Sequence, residues 1–203
     1  MCWNSGMSDT THRNSVSSKS FRSSKELIAY CKSIDQGWYR CQALASGAAK
    51  LEREECRNAC KAAAQAAKTE KDQYRRVTPL AWPIRTLSDS GLKKEANNLL
   101  VFALKEADSI TPSNSRAQTL HTLCQYSWHM DVKYRRSILK KLYQMIDSVP
   151  GWRIARACAW ISYQFDVSGD SVFVDELLKN CGNKWLIGRV ARDRAQRQAN
   201  EKR

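Results

Sequence analysis

The chain is short of the residues that interrupt helices, with 4 prolines and 8 glycines among 203 residues. It has no run of period-2 alternation long enough for a strand, so sheet folds drop out. No stretch approaches the ~20 consecutive apolar residues that a membrane helix needs. Acidic residues are also scarce, 20 against 34 Lys and Arg, which leaves a formal charge of +14. No Gly-rich phosphate loop, Walker pattern or Gly-x-Ser-x-Gly elbow is present, and no carboxylate pair stands on an otherwise apolar face. These absences exclude nucleotide-hydrolase and α/β-hydrolase chemistry, and no cofactor is expected.

Cysteine is present but lacks a metal-site pattern. Eight cysteines stand at 2, 31, 41, 56, 60, 124, 158 and 181. Cys56 and Cys60 lie one turn apart among alanines, where a thiol behaves as a small hydrophobe. Zinc would require a second pair or a nearby His at ligand spacing, and none follows. With no secretory apolar segment, the thiols are expected to be reduced in a cytoplasmic setting.

What the chain does have is a faint internal repeat. Gly37-Trp38 and Gly151-Trp152 each open a segment with small apolar residues at matching offsets, Ala43 and Ala45 in one and Ala157 and Ala159 in the other. Trp152, Ile154 and Arg156 are echoed by Trp185, Ile187 and Arg189. Units of roughly 33–40 residues, each fitting two helices, are the signature of stacked helical repeats.

The helices follow from periodicity. Residues 1–22 are rich in Ser and Thr and poor in acids, which predicts a flexible leader; Met1–Gly6 suggests no structural role, and Met7 is an alternative start. Ser23 to Glu26 forms a capping box, followed by Leu27, Tyr30, Cys31 and Ile34 on one face, with Gly37 as the stop. Trp38–Gly47 and Lys50–Lys68 form a first pair. Thr78-Pro79 starts the next, in which Pro83 should bend the first helix. Asp89–Ile110 follows, with a seam of Leu92, Ala96, Leu99, Ala103, Ala107 and Ile110. Arg116–His129 and Lys133–Val149 form a third pair; Ile138, Leu142, Met145, Ile146 and Val149 face inward, and Pro150-Gly151 breaks the chain. Trp152–Phe165 and Asp170–Cys181 form a fourth, closed by Gly182 as a left-handed cap. Trp185–Arg203 is a last helix that turns polar after Val190.

Antiparallel helix pairs of this length, with Pro83 in a first helix and a long apolar second helix such as Leu92–Ile110, resemble HEAT-type repeats over about residues 38–190. The fold class is therefore read as all-α, a short HEAT-like α-solenoid, with a compact helical bundle as the alternative. The domain reading is a leader over 1–22, a helical-repeat domain over 23–190, and a polar basic helix end or tail over 191–203.

The resemblance implies that second helices line a concave surface. Two of them carry basic stripes away from the apolar face: Lys50, Arg53, Arg57 and Lys61, with Lys68 beyond them, and Lys133, Arg136 and Lys140, with Lys141 beside them. Glu52, Glu54 and Glu55 offset the first stripe. A groove of one sign suits an acidic protein surface or a nucleic-acid phosphate backbone. Aromatic residues precede Arg at Trp38-Tyr39-Arg40, Tyr74-Arg75-Arg76, Tyr134-Arg135-Arg136 and Trp152-Arg153; wedging between repeats and base stacking are the two readings. The reading is a non-enzymatic binding protein, a protein-interaction scaffold with a basic groove. The alternative is a nucleic-acid-binding protein similar to the alkylated-base DNA glycosylases, which place Trp and Asp around a cationic base. Only Trp128 with Asp131 and Trp160 with Asp166 offer that chemistry, and Asp131 also suits a helix cap. His121 and His129, with Cys124 between them, read as core-edge residues.

Overall fold

The computed structural model describes residues 9–148 and 151–201, with backbone alone for 9, 10, 12, 147 and 148. Cys2, Met7, Val149, Pro150 and Arg203 lie outside the described residues. Every regular element among the described residues is helical. No described helix is long and apolar enough to cross a membrane.

The chain divides into two compact units, one ending at Ser109 and the other beginning at Ile110. The helical domain read over 23–190 thus comprises two cores. In the first unit, α1 (Asp9–Val16) and α2 (Ser24–Cys31) pack on α3 (Gly37–Ala48). α3 lies along α4 (Arg53–Lys68) and also meets α6 (Ala81–Asp89), which pairs with α7 (Lys93–Ala107). The short α5 (Gln73–Val77) and a 3-10 turn at Thr78–Leu80 join α4 to α6. In the second unit, α10 (Trp152–Val167) packs against α8 (Ser113–Tyr126), α9 (Val132–Ser148), α11 (Ser171–Lys179) and α12 (Lys184–Glu201).

Helix starts follow the local chemistry. Ser23 caps α2 by accepting the Glu26 N–H at 3.3 Å. The Glu26 carboxylate reaches back one residue further than a capping box requires, to the Arg22 N–H at 2.8 Å. Gly37 opens α3 instead of closing α2, because the α4 backbone lies against it. A Cβ at Gly37 would meet the Ala66 carbonyl oxygen and fall 2.5 Å from Thr69 Oγ1. Pro83 sits in the first turn of α6, which follows directly on the 3-10 turn at Thr78–Leu80.

Several expectations shift by a turn. The segment expected as a flexible leader contains α1, whose Val16 is fully buried and whose Arg13 donates to Gln42 Oε1 at 2.8 Å. One apolar anchor and a few polar contacts dock it, which composition does not register. The long Asp89–Ile110 helix is α7 alone, because Gly91 at φ 73° turns the chain after α6. Its fully buried seam runs through Leu100 in place of Leu99. Met145 is half-buried beside buried Ile138, Leu142 and Ile146. Gly169, at φ 83°, is the left-handed turn after α10, and Gly182 is not left-handed. Lys50 lies in the loop before α4, off its helical face.

A second repeat signal is shared by the two units. Ser33-Ile34, Arg40, Gln42 and Leu44 recur as Ser109-Ile110, Arg116, Gln118 and Leu120, 76 positions later. In both copies the helix-opening arginine donates back to the carbonyl of the buried isoleucine, Arg40 to Ile34 at 2.7 Å and Arg116 to Ile110 at 3.1 Å. Trp38 and Trp152 are 114 positions apart, so both intervals are multiples of 38.

Candidate functional site

The basic stripes are largely engaged within the fold. Lys50 donates to the carbonyls of Ser17 and Lys19, closing the end of α1. Arg53 reaches the Gly91 carbonyl at 3.3 Å. Arg57 pairs with Glu54 and with Glu95, the latter at 2.8 Å. Lys61 is exposed. On α9, Lys133 pairs with Asp131 at 3.2 Å, and Arg136 makes a two-pronged bond to Asp170 at 2.8–3.0 Å while lying over the Phe173 ring. Lys140 is exposed, 5.8 Å from the Phe173 centroid, and Lys141 is half-buried. The two stripes belong to different units, α4 to the first and α9 to the second.

The aromatic–Arg pairs divide in the same way. Trp38 is wedged against Tyr74 at 5.6 Å and Trp82 at 6.4 Å between ring centroids. Arg75 is held by Gln36 and Glu70. Arg135 lies over Trp128, 4.6 Å from its centroid. Only Trp152-Arg153 opens to solvent: Trp152 is 63% exposed although it starts its helix as Trp38 does.

Trp152 borders an open cleft of about 840 Å³ within the second unit. Three helix stripes line it. α10 contributes Trp152, Arg156, Trp160 and Tyr163 at i, i+4, i+8 and i+11, one face of a helix. α12 contributes Trp185, Arg189, Asp193 and Gln196 at the same spacing, followed by Arg197. α8 adds Gln118 and His121. The Trp-x-Ile-x-Arg echo therefore marks the two walls: its tryptophans and arginines share the cleft, while Ile154 is buried in the core and Ile187 is exposed.

The opposite faces explain the presentation. Ile154, Cys158, Ile161 and Phe165 bury the far side of α10, and Leu186 and Val190 anchor α12. Beyond Val190 α12 has no large apolar anchor, and ion pairs hold it instead. Arg194 grips the Asp166 carboxylate with two bonds, 2.9 and 2.8 Å, and reaches Asp175 at 2.6 Å. Arg197 donates to the Asp166 carbonyl. Asp166 is 6% exposed, and the fork raises the Arg194 pKa further above its ordinary value.

The cleft floor is aromatic and the rim cationic. Trp160 meets His121 edge-on at 4.9 Å and Trp128 at 6.1 Å. His121 Nε2 is occluded and has no hydrogen-bond partner among the described residues. Burial, then the charge of Arg156, lowers its pKa, so the ring is neutral near pH 7. Four arginines and one aspartate line the cleft, and Asp193 is held by Arg189 at 2.9 Å. Arg153 and Arg156 lie over the Trp152 ring, 5.4 and 5.2 Å from its centroid, with no carboxylate partner among the described residues.

The carboxylates considered for base chemistry have other work. Asp131 accepts the Lys133 N–H at 2.9 Å at the start of α9, and that bond lowers its pKa. Asp166 belongs to the Arg194 fork, away from solvent. The described cysteines are free and buried; burial pushes Cys31 and Cys124 up to about 12, whereas hydrogen bonds with Cys60 and Ser90 lower Cys56 to about 6. No group of three His, Cys, Asp or Glu able to hold a metal occurs among the described residues. Comparison with family models, curated proteins and solved structures finds no match.

Proposed function

We propose that the protein is a non-enzymatic helical-repeat binding protein, built from HEAT-like helix pairs, whose second unit binds nucleic acid through the aromatic cleft. The repeat reading is supported by the 38-residue spacing, recurring as the Ile34/Arg40 and Ile110/Arg116 contacts and the two Gly-Trp helix starts. The observation that carries the function is Trp152, a largely exposed indole flanked by two arginines without carboxylate partners among the described residues. Guanidinium groups suit phosphate, and an indole face beside them suits a base. The rim charge and the net +14 favour a polyanion over a neutral ligand. Asp193 is tied to Arg189 and His121 Nε2 is occluded from solvent, which favours binding over glycosylase-type catalysis.

The test is fluorescence anisotropy of the full chain with a labelled oligonucleotide, set against labelled polyglutamate at low salt. Preferential binding of the oligonucleotide, lost on Arg153→Glu with Arg156→Glu, supports the proposal. Equal or tighter binding of polyglutamate transfers the cleft to an acidic protein partner. Binding of neither refutes it.

A further inference from the structure

We infer that the cleft selects single-stranded over duplex nucleic acid, with a base stacked on Trp152 and another on Trp185 while Arg153 and Arg156 hold the intervening phosphates. This rests on the nucleic-acid reading of the cleft. The two walls repeat one another: each presents an exposed tryptophan in the first turn of its helix and an arginine one turn further along the same face. Trp152 and Trp185 are 63% and 48% exposed, unusual for indoles in a protein whose Trp38 is wedged among other rings. Bases within a duplex are stacked on each other and present only edges, whereas a single strand can turn its bases onto protein rings. A wall that spends its exposed surface on flat aromatic faces suits unstacked bases. A wall for duplex phosphates would need cations alone. Tyr163, also half-exposed on the α10 stripe, extends the aromatic surface along the cleft.

An acidic peptide would use the arginines but leave the indole faces without a matching group, so charge and aromatic content together favour the strand. The α12 wall is fixed in place by the Arg194–Asp166 fork, so Trp185 is presented without a folding step on binding.

The experiment compares full-length protein, Trp152→Ala, Trp185→Ala and the matching Trp→Phe variants. The probes are a short oligothymidylate, its duplex with oligodeoxyadenylate, and inorganic polyphosphate. Affinity is read by anisotropy or competition, stacking by quenching of tryptophan fluorescence, and folding by thermal melts. The single strand should bind tighter than the duplex and quench fluorescence, while polyphosphate should not quench. Each Trp→Ala should weaken the single strand roughly 5- to 150-fold, with Phe recovering most of the loss and the melts unchanged. Equal affinity for single strand and duplex, with both Trp→Ala variants unaffected, overturns the stacking inference while leaving phosphate binding in place. Failure of every oligonucleotide to bind overturns the underlying reading as well.

Discussion

Arg194→Ala is the perturbation whose size the structure defines best. Arg194 supplies two bonds to a carboxylate that is 6% exposed, and a third to Asp175. Removing one member of a buried pair costs roughly 3–5 kcal/mol, because the remaining charge stays desolvated. Two features reduce that. The Arg194 side chain is 29% exposed, so water screens part of the interaction. Arg197 already donates to the Asp166 carbonyl and can turn towards the vacated carboxylate. A loss of about 2–3 kcal/mol is the expected result, which for a chain of this size lowers Tm by about 4–12 °C. Thermal melts followed by circular dichroism measure it. Replacing both partners, Arg194→Met with Asp166→Leu, should recover much of the loss, since neither member then leaves a buried charge. A single variant that melts with the wild type would show that α12 is held by Leu186 and Val190 alone, and the account of its docking would fail.

Gly37→Ala should lower stability by about 1–3 kcal/mol, because the new Cβ meets backbone, which cannot give way; an unchanged urea midpoint would contradict the close approach of α4. His121 is depressed below the ordinary imidazole value of 6.5. The unfolded chain then binds the proton more readily than the folded one, so stability should fall as pH drops below about 6.5 and level off beneath the folded value. Melts across that range should flatten in His121→Phe, and an equally steep dependence in that variant would assign the effect elsewhere. Arg136→Glu sets like charges against Asp170 and removes the ring contact with Phe173, so it should destabilise by about 1 kcal/mol, whereas Lys61→Glu on exposed surface should be nearly neutral. Equal melts for those two variants would show that the Arg136 fork contributes nothing.

Most helices were legible because their apolar spacing is set locally. Ile138, Leu142 and Ile146 mark the buried face of α9 as periodicity predicts. The pairing of two stripe arginines was not legible because those partners come from elsewhere in the chain. Arg57 is offset by Glu95 and Arg136 by Asp170, neighbours only once helices pack. Trp38 and Trp152 share a Gly-Trp start, yet one meets Tyr74 and Trp82 while the other faces solvent; the dipeptide is identical and the surroundings differ. The better signal was the Trp-x-Ile-x-Arg echo. Read at four-residue spacing, it already placed each tryptophan and arginine on one helix face. That α8 supplies the third side of the cleft depends on tertiary packing and has no counterpart in the local pattern.

The central claim, that the second unit binds nucleic acid through its arginines and indoles, is tested most directly by the salt dependence of oligothymidylate affinity. Two phosphate contacts, from Arg153 and Arg156, give a slope of about −1.4 in log K against log salt, near −0.7 per contact for a single strand. That slope should shallow by about one contact in Arg156→Ala and stay unchanged in Trp152→Ala, which weakens binding without removing charge. Absence of binding at low salt, or a slope that Arg156→Ala leaves untouched, would contradict the account.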